Sequence, residues 1–283
     1  REFLKRGIHV ICDKPLTATL SDAKKMVAAV NKSDSLFILT HNYTGYPMVR
    51  QARELVKSGA LGKLRLVQVE YVQDWLSEQV NNKQANWRTD PMLSGVGGSI
   101  GDIGTHAYNL YRFVTGLSLS QLSADLDAFV PGRRVDDNAN VMMRFKGGAK
   151  GMLWCSQVAL GNENGLRLRV FGEKGGVEWE QENPNQLWYT SSGEPKRLLT
   201  RGGAGTSLTA NALNRIPAGH PEGYLEGFAN IYTEAARSIR AVQAGQPVPK
   251  GVHCPDVMDG MEGIRFINAC VNSSSRNSAW VSL

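Results

Sequence analysis

The sequence contains few of the features that would assign it to a specialised class of protein. No apolar run approaches the ~18 residues that a membrane-spanning helix needs. There is no run of five like charges, and the residues that give the net charge of +6 are spread along the chain. We therefore predict that neither a membrane nor a nucleic acid is a partner of this protein.

Cysteines are few, and they lie far apart. Cys12, Cys155, Cys254 and Cys270 form no Cys-x-x-Cys pair, and no His-Glu-x-x-His pattern occurs. The spacings typical of zinc sites are therefore missing, and no metal site is predicted. In a chain of 283 residues, isolated cysteines are typical of reduced, mostly buried thiols, which favours a cytoplasmic location.

A Gly-x-Gly-x-x-Gly turn is also missing, although the segment 1–40 has the pattern of a doubly wound parallel sheet. Residues 1–7 have the pattern of the last turns of a helix that ends at a glycine. The apolar runs Ile8–Cys12 and Leu36–Thr40 then flank a helix whose N-cap would be Ser21. This alternation predicts a Rossmann-type sheet, which normally carries the glycine turn after its first strand. We therefore expect roughly 100 further residues, with that turn, before Arg1.

After Thr40 the pattern changes to strands joined by short connections, which indicates an antiparallel sheet. The predicted strands are Lys63–Asp74, Asn140–Phe145, Gly151–Val158, Leu166–Phe171, Gly176–Glu180 and Leu187–Thr190. Further helices are predicted at Met48–Ser58, near Asp102, at Glu222–Ala244 and at Asp256–Asn272. The predicted fold is α/β plus α+β. Residues 1–40 would be the C-terminal part of a Rossmann domain, and residues 41–283 a mixed, largely antiparallel sheet with helices on one face.

The first candidate site is Asp13-Lys14-Pro15, at the carboxyl end of the first predicted strand. Ligands of open α/β sheets bind at the carboxyl ends of the strands, so this place suits a functional residue. Pro15 favours an extended conformation for Lys14, whose ammonium could hydrogen-bond a reacting hydroxyl and help to move a proton. The alternative is a surface lysine in a tight turn.

The second candidate site is the glycine-rich segment Gly95–Gly101 with Asp102 and His106 directly after it. Glycines allow the backbone to turn sharply and to approach a ligand closely. Asp102 is predicted at the N-cap or in the first turn of a helix, and His106, one helical turn later, would share its face. A carboxylate beside an imidazole could tune the histidine to act as an acid or base near neutral pH. The alternative is a capping aspartate beside a core histidine.

The remaining candidates are scattered along the chain. Trp87 and Arg88 could stack on a flat ring or bind an anion, although a surface loop with one buried tryptophan is the alternative. Asn42 and Tyr43 follow the second predicted strand at its carboxyl end. His220, in a Gly-His-Pro segment, is a weaker candidate for a substrate contact.

In their order and spacing, these motifs resemble the Gfo/Idh/MocA family of oxidoreductases, which includes glucose–fructose oxidoreductase and inositol dehydrogenase. The family's Glu-Lys-Pro signature is matched by Asp13-Lys14-Pro15, with a conservative change at the first position. Its Trp-Arg pair is matched by Trp87-Arg88, and its Asp-x-Gly-x-His motif by the segment from Asp102 to His106. The resemblance implies a Rossmann domain that binds NAD or NADP, followed by a domain that binds a sugar or polyol.

The resemblance also implies roles for individual residues. His106 would accept the proton of the substrate hydroxyl, Lys14 would hydrogen-bond the same oxygen, and Asp102 would position the substrate and tune the lysine. Lys14 and His106 could exchange the role of base. Cofactor contacts are implied for Asp13, Lys14, Pro15, Asn42, Trp87 and Arg88, and substrate contacts for Lys14, Tyr43, Asp102, His106 and His220.

Two other functions are open on the same fold. One is an NAD-dependent glycosidase that oxidises its substrate transiently, and the other is a sugar-sensing regulator that binds cofactor without turnover. A regulator would be expected to lose the trio of Lys14, Asp102 and His106, which is present here. Apolar residues on both alternations of the predicted strands, such as Met142 and Met143, favour a homodimer or homotetramer through the sheet.

Overall fold

The structure is a computed structural model that describes residues 1–283. The strands are β1 (Val10–Cys12), β2 (Phe37–Leu39), β3 (Leu64–Val72), β4 (Leu119–Asp127), β5 (Asn138–Phe145), β6 (Lys150–Ser156), β7 (Gly165–Gly172), β8 (Gly175–Glu180), β9 (Gln186–Ser191), β10 (Arg197–Thr200) and β11 (Val281–Ser282). The α-helices are α1 (Glu2–Lys5), α2 (Leu20–Val30), α3 (Pro47–Lys57), α4 (Lys83–Thr89), α5 (Pro91–Ser94), α6 (Thr105–Thr115), α7 (Leu208–Asn211), α8 (Tyr224–Gln243) and α9 (Val257–Ser274). A 3₁₀ turn at Asn42–Gly45 precedes α3, and a π turn at Ile100–Gly104 precedes α6.

β1 and β2 form a two-stranded parallel sheet in which Ile11 pairs with Ile38. Parallel neighbours need a crossover connection, and α2 provides it. This helix begins after Thr19 rather than at the predicted Ser21, because the Thr19 hydroxyl accepts a hydrogen bond from the backbone N–H of Asp22. The predicted alternation of helix and strand over the segment 1–40 is confirmed.

The second sheet has nine strands in the order β10-β9-β8-β7-β3-β6-β5-β4-β11. Every neighbouring pair is antiparallel except β3 and β6, which are parallel. Of the nine strands in this sheet, β3 comes first in the chain. It nevertheless lies between β7 and β6 and interrupts the predicted meander. The prediction of a mixed, largely antiparallel sheet is confirmed, and the insertion of β3 is what makes the sheet mixed.

The two faces of the nine-stranded sheet differ in composition. The face that packs on the helices is apolar and buried, with Val69, Val141, Leu153 and Leu168 at its centre. Burying each such side chain contributes about 1.5–3 kcal/mol to folding. The outer face combines exposed apolar side chains with polar and charged ones: Leu66, Met142, Met152, Gln68, Glu70, Arg167 and Arg169. The expectation of an apolar outer face is therefore met only in part.

One continuous hydrophobic core joins the two sheets. It includes Leu16 and Leu39 from the first part of the chain together with Ile264 and Phe266 of α9, and α2 packs against α9. Side-chain packing therefore crosses the boundary predicted after Thr40, which stays a prediction. None of the helices is both long enough and apolar enough to cross a membrane.

Candidate active site

A cleft of about 510 Å³ is lined by residues that follow the carboxyl ends of three strands. Asp13 and Lys14 follow β1, Asn42 follows β2, and Gln73 follows β3. In open α/β sheets, ligands bind at this end of the parallel strands. Side chains of α6 and α8, with the segment around α4, complete the walls. The cleft is therefore the place in the molecule where the predicted site residues converge.

Asp102 is at the centre of a network of charged groups in this cleft. Its Oδ1 accepts a hydrogen bond from Lys14 Nζ at 2.9 Å, and its Oδ2 accepts from Arg88 Nε at 2.7 Å and Gln157 Nε2 at 3.0 Å. Burial alone would raise the pKa of Asp102, but the charges of Lys14 and Arg88 outweigh it, so this pKa lies below its ordinary value. Lys14 Nζ also donates to the backbone oxygen of Asp102 at 2.6 Å. Because an ammonium has three donors, Lys14 retains one for a ligand.

The turn that carries Asp102 is a π turn, and Asp102 caps no helix. Of the two positions predicted for Asp102, the first turn is confirmed and the N-cap is wrong, because another aspartate, Asp136, supplies the acceptor. Its carboxylate accepts hydrogen bonds from the backbone N–H groups of Gly98 at 2.7 Å and Ile100 at 2.8 Å, and from the Ser99 hydroxyl at 2.6 Å. Gly98 has to be a glycine here, since a Cβ atom would lie 2.0 Å from the Asp136 carbonyl oxygen. The Asp102 carboxylate is left to face Lys14 and Arg88.

His106 is enclosed by aromatic rings. The centroid of its ring lies 5.0 Å from that of Tyr43, 5.8 Å from that of His41 and 6.0 Å from that of Tyr71. Burial, with the charge of Lys14 as a smaller cause, lowers the pKa of His106 well below its ordinary value. The prediction of a histidine tuned near neutral pH is therefore wrong, because the Asp102 carboxylate that would raise this pKa contacts Lys14 and Arg88 instead. Nδ1 of His106 is buried without a hydrogen-bond partner, and His106 lines the cleft.

Several residues of the cleft escaped the sequence analysis. Tyr71, Gln73 and Trp75 line it, together with Asn164 from the turn before β7. The hydroxyls of Tyr43 and Tyr71 are 2.6 Å apart, and Asn164 Oδ1 accepts hydrogen bonds from both Tyr71 and Gln73 at 2.8 Å. A signal was present, because positions 71, 73 and 75 alternate as residues on one side of a strand do. However, no motif in or next to that strand indicated that it lies beside the site.

The cleft does not contain every predicted residue. It is lined by Asp13, Lys14, Asn42, Tyr43, Arg88, Asp102 and His106, whereas Pro15, Trp87 and His220 do not line it. The guanidinium of Arg88 lies 5.4 Å from the centroid of the Trp87 ring and 5.7 Å from that of the Trp75 ring, and of these two tryptophans only Trp75 lines the cleft. His220 is exposed and lies outside the cleft lining, and its backbone carbonyl accepts a hydrogen bond from buried Arg201 at 2.6 Å.

The residues present fit the nicotinamide end of a dinucleotide cofactor. Asp13 Oδ1 accepts a hydrogen bond from the Thr40 hydroxyl at 2.7 Å, which joins the ends of β1 and β2 at the edge of the cleft. Nδ2 of Asn42 is buried without a hydrogen-bond partner. Such an unsatisfied donor costs about 1–3 kcal/mol, and an acceptor such as a carboxamide oxygen of a ligand would remove that cost.

Comparison with protein-family models matches both parts of the chain. Residues 1–41 match a model described as an oxidoreductase family with an NAD-binding Rossmann fold. Residues 49–178 match the model of the GFO/IDH/MocA C-terminal domain. The two matches occur in the order that the sequence motifs imply.

Individual relatives extend the similarity over nearly the whole chain. An uncharacterized oxidoreductase of Bacillus subtilis (strain 168) is 34% identical over 284 residues, which cover 98% of this chain and 72% of the relative. The crystal structure of an oxidoreductase from Sinorhizobium meliloti is 62% identical with a TM-score of 0.90, over 99% of this chain and 74% of that one. An inositol dehydrogenase homolog from Azotobacter vinelandii, complexed with NADH and myo-inositol, is 32% identical with a TM-score of 0.93, over 100% of this chain and 73% of that one. The chain therefore belongs to the Gfo/Idh/MocA family of NAD-binding oxidoreductases.

Proposed function

We propose that the protein is a nicotinamide-dependent dehydrogenase that interconverts a hydroxyl and a carbonyl group of a sugar or cyclic polyol. The observation that carries the proposal is the pairing of an ammonium with one unused donor, Lys14, and an uncharged imidazole, His106, in a single cleft. The bound NADH and myo-inositol of the Azotobacter vinelandii relative support the cofactor class and the substrate class. The cofactor is NAD or NADP, and the family model favours NAD.

In this mechanism the reacting hydroxyl lies between Lys14 Nζ and His106 Nε2. His106, neutral because of its lowered pKa, accepts the hydroxyl proton. Lys14 donates a hydrogen bond to the same oxygen and stabilises the negative charge that develops there. A nicotinamide held beside Asp13 and Asn42 would supply the hydride acceptor, or in the reverse direction the hydride donor, for the substrate carbon. Asp102 fixes the ammonium through two hydrogen bonds, so that Lys14 does not have to be reoriented during the reaction.

The direct test offers neutral sugars and cyclic polyols, with NAD and then NADP, to the full-length protein. The expected result is a net change of absorbance at the band of the reduced nicotinamide with at least one substrate. Glycosidic cleavage without a net change would indicate the NAD-dependent glycosidase instead. Binding of a sugar without any product would indicate the sugar-sensing regulator, and either result would contradict the proposal.

We also propose that the two segments predicted from the sequence have separate roles. The protein as a whole is proposed to be cytoplasmic. Residues 1–40 would contribute to cofactor binding, and residues 41–283 would bind the substrate and form a homodimer or homotetramer. The outer face of the nine-stranded sheet supports the second role. Met142 and Met152 are register partners at its centre and are 52% and 57% exposed, and Leu66 nearby is 52% exposed. Exposed apolar side chains that adjoin on one face are typical of an interface.

The assembly is tested by light scattering at micromolar concentration. The full-length protein is expected to be a dimer or tetramer, and Met152→Lys is expected to raise its dissociation constant by roughly 10²–10⁴-fold. Each buried methionine contributes about 1.5–3 kcal/mol, and a symmetric interface loses two of them. Leu160→Lys is the control, since Leu160 is 79% exposed in a turn away from this face. A monodisperse wild-type monomer would contradict the proposal.

A further inference from the structure

Helix α8 presents a row of aromatic side chains to the cleft. Tyr224, Phe228 and Tyr232 recur at a spacing of about one helical turn, so they share one face of the helix, and all three line the cleft. The ring centroids are 5.1 Å apart for Tyr224 and Phe228 and 6.2 Å apart for Phe228 and Tyr232. Tyr224 and Tyr232 are 52% and 46% exposed. No step of the proposed mechanism uses this row.

The ionised residues of the cleft have charges that cancel. Asp13 and Asp102 are acidic, and Lys14 and Arg88 are basic. Asp102 contacts both cations, at 2.9 Å from Lys14 and 2.7 Å from Arg88. A site for a phosphate or carboxylate group would require a cation without a counter-charge, and here Asp102 neutralises both. Asp13 adds a negative charge that would repel such a group.

The aromatic row reaches the same end of the cleft as the charged residues. Tyr224 lies near enough to Asp13 that this carboxylate contributes, after burial, to a raised pKa of the tyrosine hydroxyl. A ligand that contacts Lys14 would thus lie beside the aromatic rings of α8. Flat rings beside fixed hydrogen-bonding groups match a molecule with apolar C–H faces and a hydroxylated edge.

We propose that the substrate is a neutral, polyhydroxylated ring that stacks its C–H face on the α8 row, and that phosphorylated and acidic sugars are excluded. This inference rests on the proposed dehydrogenase function. The hydroxyl edge of the ring meets the polar residues of the cleft, among them Gln73 and Asn164. The aromatic row selects by shape, and the balanced charges select against anions.

The first experiment compares matched substrates on the full-length protein. Myo-inositol is paired with myo-inositol 1-phosphate, and glucose with glucose 6-phosphate and glucuronate. The expected kcat/KM is lower for each charged member by roughly 10²-fold or more, since unpaired or like charges in a partly buried site cost several kcal/mol. A charged substrate that is turned over as well as or better than its neutral partner overturns the inference and leaves the proposed function intact. Failure of every compound, neutral or charged, would count against the dehydrogenase itself.

The second experiment changes the row. Phe228→Leu and Tyr232→Ala are expected to raise KM roughly tenfold, because each removes a flat contact surface, with kcat within about threefold of wild type. Tyr232→Phe, which keeps the aromatic ring, should have the KM of the wild type. Leu225→Ala is the control on the same helix, because Leu225 is 76% exposed and does not line the cleft. A loss of cofactor affinity without a change in substrate KM would show that the row holds the cofactor, and KM values equal to the control would show that it holds nothing. Both results overturn the inference.

Discussion

Replacing Lys14 with alanine in the full-length protein is expected to lower kcat by roughly 10²–10⁴-fold, with cofactor affinity within about tenfold of wild type. One positioned proton-transfer or hydrogen-bonding group typically contributes this much to catalysis. The fold should survive, because Asp102 keeps the hydrogen bonds from Arg88 and Gln157 and is not left as an unpaired buried charge. Lys24→Ala, which removes an exposed lysine of α2, serves as the control.

His106→Ala is expected to lower kcat to a similar extent and, in addition, to change the pH profile. His106 acts as a base only when it is neutral, and burial holds its pKa well below the ordinary value of 6.5. The neutral form therefore persists into acidic solution, and oxidation is lost only as the pH falls through that lowered pKa. The acid limb of the kcat/KM profile should lie below pH 6.5 in the wild type and be absent from His106→Ala.

The effects of changing Lys14 and His106 are expected to be non-additive. Because both contact the same substrate oxygen in the proposed mechanism, the double variant should be much less impaired than the product of the two single effects implies. Near wild-type turnover by either single variant, measured on the true substrate, would show that the assigned mechanism is wrong. If both variants retained turnover, the site itself would be misplaced.

Asp102→Asn is expected to lower kcat/KM by roughly 10²-fold, chiefly through a higher KM. The change preserves the shape of the side chain but removes a charge that two cations share, so the Lys14 ammonium, which hydrogen-bonds the substrate in the proposed mechanism, is held less firmly for substrate binding. The site also becomes more positive by one charge, which favours the deprotonated form of neighbouring groups, so the pH optimum should move to lower pH.

Steady-state kinetics over a range of pH measure both effects of Asp102→Asn. Asp22→Asn is the matched control, because Asp22 also pairs with a lysine but is 53% exposed on α2. Its KM and pH optimum should equal those of the wild type. If Asp102→Asn has an unchanged KM and an unchanged pH optimum, Asp102 has no role in substrate binding.

Local sequence pattern determined much of this protein. The alternation of helix and strand over the segment 1–40 predicted β1, α2 and β2, since the periodicity of apolar residues depends only on neighbours in the chain. The same pattern placed Lys14 and Asn42 at carboxyl ends of strands, where ligands bind. The motif resemblance brought Asp102 and His106 to the same site, and the cleft contains all four residues.

The tertiary structure decided what depends on residues distant in the chain. Periodicity carries no information about strand order, so it could not predict the insertion of β3 between β6 and β7, which brings Tyr71 and Gln73 to the cleft. Asp136, which lies beyond α6 and β4 in the chain, accepts the backbone hydrogen bonds at the start of the π turn in place of the expected N-cap at Asp102. The pKa of His106 was set by burial, which is a property of the packed molecule. Sequence alone therefore determined which groups are available for chemistry, and only the packing of distant elements decided which of them meet and in what charge state.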